Sequence, residues 1–187
     1  MKSLRPDRFL NATLWLGFAW MTLAPDAVRA ADDPASFKVS EFTFQRPEAW
    51  KWVKTASSMR AAQLEVGEKE KDGVAEVVFF YFGPSNGGGT DANVERWLGQ
   101  FKEPKNQLGA KVEEKTVEGR KVTFVQAKGT YLSGAPLGPK TPMPDHALMG
   151  AILESRQGNV FVKMTGPTKV VQPALKTFQD MVLAALK

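Results

Sequence analysis

The chain has 187 residues, of which 43% are hydrophobic, 24% charged and 10% aromatic, a balance that excludes a disordered, collagen-like or disulfide-stapled protein. It contains no cysteine, which removes disulfides, thiolate nucleophiles, cysteine zinc sites, iron–sulfur clusters and a lipid-bearing N-terminal cysteine. Its single histidine, His146, must serve any imidazole-dependent mechanism alone and cannot build a histidine metal site, so neither metal nor cofactor is expected. Oxygen-only sites for hard cations stay open on counting grounds.

Residues 1–30 read as an export signal. Lys2, Arg5 and Arg8 form a positive region, residues 9–24 are apolar, and Val28-Arg29-Ala30 sets short side chains at the −3 and −1 positions of a cleavage site. Sixteen helical residues reach only about 24 Å, short of the roughly 30 Å hydrocarbon core. The alternative is an uncleaved N-terminal anchor. Cleavage after Ala30 leaves 157 of the 187 residues, with no later stretch of transmembrane length. The expected location is therefore periplasmic or secreted. The leader carries four basic and two acidic residues, or +2 of the total +5. The remainder is only +3 (21 basic, 18 acidic) with no basic run, so nucleic-acid binding is not expected.

Residues 37–44 alternate as one strand, broken by Arg46-Pro47, and residues 59–66 read as a second. In residues 74–82, seven of nine side chains are β-branched or aromatic, the signature of a central strand covered on both faces. After a loop over residues 83–89, Thr90 or Asp91 is placed to cap a helix whose apolar stripe is Val94, Trp97, Leu98 and Phe101, ended by Pro104. Residues 111–117 and 121–131 pair through Glu118-Gly119. Residues 132–146, with four prolines, read as a long irregular segment. Residues 147–155 and 159–165 form another hairpin through Gln157-Gly158. A closing helix carries Val171, Leu175, Phe178, Val182 and Leu186, and is kinked at Pro173 or begins near it. These elements define an α+β protein, an antiparallel sheet of about six to seven strands flanked by helices, in one domain over residues 31–187.

Phe42-Thr43-Phe44-Gln45-Arg46-Pro47-Glu48-Ala49-Trp50 resembles the strand-Pro-x-x-Trp opening of PsbP-like domains. Residues 160–163, Gly166-Pro167 and Phe178-Gln179-Asp180-Met181-Val182 resemble their last strand and closing helix. The same fold occurs in a Ran-binding nuclear-import factor. Residues 87–97 with Ser58-Met59-Arg60-Ala61-Ala62 are similar to a set of uncharacterised exported bacterial proteins with no assigned activity. The resemblance, spanning nearly all of residues 36–187, implies an α/β/α sandwich whose known members are accessory or binding proteins rather than enzymes. It carries over no catalytic residue.

Gly83-Pro84-Ser85-Asn86-Gly87 matches G-x-S-x-G, the pattern of a serine hydrolase, with His146 as the available base. Three glycines and Thr90 nevertheless separate Ser85 from the helix, whereas a nucleophile elbow turns straight into it. The same loop has a second reading. Gly87-Gly88-Gly89-Thr90 feeds a helix N-terminus where backbone amides and the dipole favour an anion, with Arg96 on the helix and Arg60 or Lys163 approaching from the sheet. Against both stands a plain connection that lets the strand reverse into the helix. Residues 132–146, bounded by Tyr131 and carrying Lys140 and His146, suit extended backbone for partner contact or a passive excursion. Trp50 and Trp52 share a face if extended and are read as core or rim packing, and Trp97 as core. The expectation is a non-enzymatic binding or accessory domain for a protein, peptide or envelope component. The alternatives are a small serine-type hydrolase at Ser85, another enzyme using a carboxylate, or a small-ligand carrier with an enclosed apolar pocket.

Overall fold

The computed structural model describes residues 33–187 apart from Ala56, Ser85 and Pro136; the expected leader and the hydrolase candidate Ser85 lie outside the described residues. The apolar run around residue 77 forms β5 (Gly73–Tyr81), and it lies inside a seven-stranded antiparallel sheet of order β3-β4-β5-β9-β8-β7-β6. The other strands are β3 (Lys51–Trp52), β4 (Ala62–Glu68), β6 (Lys111–Val117), β7 (Arg120–Ser133), β8 (Thr141–Leu153) and β9 (Val160–Pro167). Residues 37–44 are not one strand but a tight hairpin, β1 (Ser36–Val39) and β2 (Phe42–Gln45), paired only with each other. Ser40, in the left-handed region at φ 54°, makes the reversal that alternation alone did not reveal. The described strands therefore number nine, against the six or seven expected.

Alternation divides the sheet into two apolar faces. Leu64, Val77, Phe79, Phe124, Met149, Val162 and Met164 face the β1–β2 hairpin and α2 (Thr168–Ala184), where Phe42, Phe44, Phe178 and Val182 meet them. Phe37, Phe44 and Phe79 lie in mutual edge and stacked contact, with Trp52 on the rim against Phe37 and Trp50 buried. Val125, Ala127, Leu148, Ile152 and Phe161 face the opposite way, onto α1 (Thr90–Leu98) with Val94, Trp97 and Leu98. This is the α+β, helix-flanked arrangement expected. Among the described residues no helix is long and apolar enough to cross a membrane.

Three local expectations are corrected and one, the place of Pro173, is narrowed. The N-cap of α1 is Gly89, not Thr90 or Asp91, and it receives no side-chain bond. The helix stops at Leu98 rather than at Pro104: Gly99 makes the last bond four residues back, Gln100 and Phe101 donate only three back, to Trp97 and Leu98, and Phe101 then bridges Tyr131. α2 begins at Thr168, directly after β9, and carries Pro173 on its exposed side in its second turn. The segment 132–146 is mostly strand. β7 runs to Ser133 and β8 starts at Thr141, leaving only residues 134–140 as loop.

The prolines disguised that hairpin. β9 pairs with β8 no further than His146↔Pro167, so Pro142 and Pro144 lie where β8 has a neighbour only on its β7 side. There a missing N–H costs no ladder bond, as at any sheet edge. The register shifts by one residue between Gly129 and Tyr131, and Asp145 at φ 53° takes up the extra residue as a β-bulge.

Candidate functional site

The glycine loop is built for reversal. Gly87 and Gly88 have φ of 91° and 80°, and a Cβ on Gly87 would come within 2.8 Å of the Phe161 ring. Asn93, only 2% exposed, donates from Nδ2 to the carbonyls of Gly87 (2.8 Å) and Gly89 (2.9 Å), tying the loop to the first turn of α1. Thr90 Oγ1 donates to Glu154 Oε1 at 2.9 Å, so a carboxylate already stands beside this helix end. Gly88 and Gly89 border a surface recess of about 380 Å³ that also includes Arg156. Neither Arg60 nor Lys163 is among its lining residues.

Those cations meet on the sheet, along the edge of α1. Lys163 on β9 is paired in register with Gly150 on β8 and Val78 on β5, on the face that α1 covers. Gly150 has no side chain, and Trp97 lies directly on it: a Cβ there would stand 2.2 Å from Trp97 Cζ3. The helix therefore seats close to the strands, with Arg96 and Gln100 on its Lys163 side. Lys163 Nζ, on a half-buried side chain, donates to Gln100 Oε1 and to Tyr131 Oη, both at 3.2 Å. The Tyr131 hydroxyl donates to the same Gln100 oxygen at 3.2 Å. Tyr131 is carried there by β7 beyond the bulge, where Phe101 packs edge-on against its ring at 5.5 Å.

Beside this triad, Arg60 Nη1 donates to Glu76 Oε1 at 2.5 Å and to Gln63 Oε1 at 2.7 Å, while Gln63 Nε2 donates to the same Glu76 oxygen at 2.9 Å. Arg96 donates to Asn93 Oδ1, a neutral acceptor. Glu76 thus bonds Arg60 and Gln63 through Oε1, and neither Lys163 nor Arg96 joins an ion pair among the described residues. Burial pulls the Lys163 ammonium down to about 8. Glu76 acts against that fall, and Arg96 and Arg60 add to it. Burial pushes the Tyr131 hydroxyl up to about 12, with Glu76 adding to the rise, so it remains a neutral donor at ordinary pH.

The residues singled out from the sequence thus separate into four places. Arg60, Arg96 and Tyr131 gather around Lys163, although Tyr131 was assigned to a partner loop and the two arginines to the glycine turn. Gly87, Gly88, Gly89 and Thr90 lie apart, at the start of α1. Lys140 sits at the hairpin tip, where its Nζ bonds the Ala135 and Gly134 carbonyls and Leu137 stands fully exposed. His146 is on β8 and donates from Nδ1–H to the Pro144 carbonyl at 2.8 Å. Gln63, Glu76, Asn93 and Gln100 were not anticipated. Glu76 and Lys163 did leave a trace: each is a lone charge at a strand position inside an otherwise apolar run, Val74 to Phe82 and Val160 to Met164.

No family model matches the chain, and no curated protein matches it. Among solved structures it is similar to a protein of unknown function from Pseudomonas aeruginosa, with 13% identity over 79% of this chain and 92% of that one and a TM-score of 0.43. It is also similar to the solution structure of cyanobacterial PsbP (CyanoP) from Synechocystis, with 12% identity over 85% of this chain and 96% of that one and a TM-score of 0.48.

Proposed function

We propose that this protein is an exported, non-enzymatic binding or accessory domain acting on a protein, peptide or envelope component, and that its working surface is the α1-side face of the sheet around Lys163. The observation carrying this reading is that two cations on that face, Lys163 and Arg96, have only neutral partners. A folded protein stabilises a half-buried cation most simply with a carboxylate, and Glu76, the one beside Lys163 among the described residues, bonds Arg60 instead. For the half-buried Lys163, an acidic group from a partner would offset the desolvation that its neutral neighbours leave uncompensated. Export is supported by the pattern of residues 1–30.

Two measurements test it. Amino-terminal sequencing of the protein from the cell envelope or medium should begin at Ala31; a chain retaining Met1 in the cytosol would refute export. A photo-crosslinking side chain placed at position 96 should trap a partner in living cells, whereas the same group at Lys176, exposed on α2 on the opposite face, should not. Equal labelling at both positions would refute the assignment of the surface.

A further inference from the structure

The ligand chemistry of this surface follows from how its donors are used. We propose that Lys163 and Arg96, beside Tyr131, form an oxyanion site, receiving a carboxylate or phosphate-type group of the bound partner in the angle between α1 and β5. The inference rests on the reading above that this face is the working surface.

Three observations converge. First, the groups that border the position are overwhelmingly donors: an ammonium, two guanidiniums and a phenol. Gln63 Oε1, Gln100 Oε1, Asn93 Oδ1 and Glu76 Oε1 each already accept from one of those donors, and the single Tyr131 O–H is spent on Gln100. An ammonium has three N–H groups, and only two of those of Lys163 are used inside the described protein. Second, the local charge is unbalanced. Arg60, Arg96 and Lys163 stand against Glu76, and the shortest contact neutralises Arg60 alone. An incoming anion supplies what the desolvated ammonium lacks, so it is held by charge-assisted hydrogen bonds in a partly sheltered site. Third, the cradle is fixed in place. Trp97 is seated on Gly150, Phe101 is bridged to Tyr131, and Glu103 Oε2 accepts from the Thr130 N–H at 2.8 Å. Donors held in place without the ligand lose little freedom when it binds.

The site also carries its own signature. The groups facing Lys163 are Arg60 ahead of β4, Glu76 on β5, Arg96 on α1 and Tyr131 on β7, while β8 presents only the Gly150 backbone. Tyr131, pushed up to about 12 by burial, stays neutral from about pH 6 to 10. Lys163 is then the group that changes charge in that range. Because the bound anion requires the ammonium, binding raises the Lys163 pKa and takes up a proton wherever the free protein has released it.

The test uses the full chain purified after export, titrated by calorimetry with sulfate and with succinate at constant ionic strength in chloride. Neither anion titrates between about pH 7 and 10. Both should bind at pH 7, and affinity should fall by nearly tenfold per pH unit above about pH 8, as the protonated fraction does. Lys163→Gln should weaken binding at least tenfold, and Arg96→Gln, on an exposed side chain, several-fold. Lys163→Arg should bind with a flat pH profile. If Lys163→Gln fails to fold, Arg96→Gln and Lys163→Arg still decide the matter. Sulfate preferred to succinate points to a phosphate-type group on the partner, and the reverse to a carboxylate; either preference supports an oxyanion site. Binding indifferent to Lys163 and Arg96, or no more than chloride gives, overturns the inference. If crosslinking at position 96 persists in that event, the surface assignment survives and only the ligand class falls.

Discussion

Replacing Gly150 by alanine is the sharpest test of how the site is held. The added methyl would lie 2.2 Å from Trp97 Cζ3 and 2.5 Å from Cε3, against an optimum near 3.5–4.0 Å. The indole must retreat by about 1.3 Å, yet it is only 3% exposed and has Phe161 edge-on at 6.5 Å. α1 has nine residues, too few to stand without tertiary contacts, so the whole helix shifts with its anchor. Overpacking of this kind costs about 1–3 kcal/mol, and a clash against a rigid ring with no route to solvent belongs near the upper end. For a domain of this size that is roughly 6–12 °C in melting temperature. A double-mutant cycle with Trp97→Leu isolates the contact: the double variant should recover about 1–2 kcal/mol relative to the sum of the single changes. Differential scanning calorimetry provides the stabilities, and sulfate affinity of the same variants reports whether Arg96 and Gln100 have moved away from Lys163. A Gly150→Ala protein that melts within about 2 °C of the parent, or strict additivity with Trp97→Leu, would refute the claim that this glycine sets the seat of α1.

Three further outcomes follow from particular residues. The Lys163 pKa is lower in the folded protein than in the unfolded chain, so between about 8 and 10 the unfolded chain holds more protons and this residue's contribution to stability increases with pH; urea unfolding at successive pH values should show that rise in the parent and lose it in Lys163→Gln. Above about pH 10 the raised Tyr131 acts in the opposite sense, because the unfolded phenol ionises first. Hydrogen bonding from Thr130 holds the Glu103 carboxyl below its ordinary range, so its stabilising effect is present above about pH 4.5 and is lost as pH falls through its folded-state pKa; Glu103→Ala should speed amide exchange at Thr130 at neutral pH, and unchanged protection would disprove the tie. Glu118 and Gly119 both have positive φ, 51° and 79°, in the two-residue turn between β6 and β7. Glu118→Asn should stabilise the protein by about 0.5–1 kcal/mol in thermal unfolding, since asparagine tolerates that region at lower cost.

Much of the fold was legible before the structure. Seven β-branched or aromatic residues in the nine from Val74 to Phe82 can only be covered on both sides, and β5 indeed lies between β4 and β9 with helices on opposite faces. Glu118-Gly119 marked its hairpin, and the spacing of Val94, Trp97 and Leu98 marked the buried side of α1. Reading failed where the pattern was broken by something long-range. Pro142 and Pro144 suppress strand signals, but only pairing along the whole sheet tells that β9 stops at His146 and leaves them room. The β1–β2 hairpin is written only as a slip of phase, from Phe37 and Val39 to Phe42 and Phe44, across the reversal made by Ser40.

The amino-acid sequence by itself determined the chemistry available to this protein: no thiol, one imidazole, a modest excess of cations and enough apolar surface for two faces of a sheet. These are sums over residues, and no arrangement in space alters them. Which cations meet was decided by tertiary structure alone. Arg60, Arg96, Tyr131 and Lys163 are spread over more than a hundred positions, and they converge because antiparallel register sets Lys163 opposite a glycine, a bulge carries Tyr131 past it, and a tryptophan on that glycine fixes the helix beside both. Charge is a property of the residue. Its shelter, and so its need for a counter-ion, belongs to the neighbours that folding brings to it.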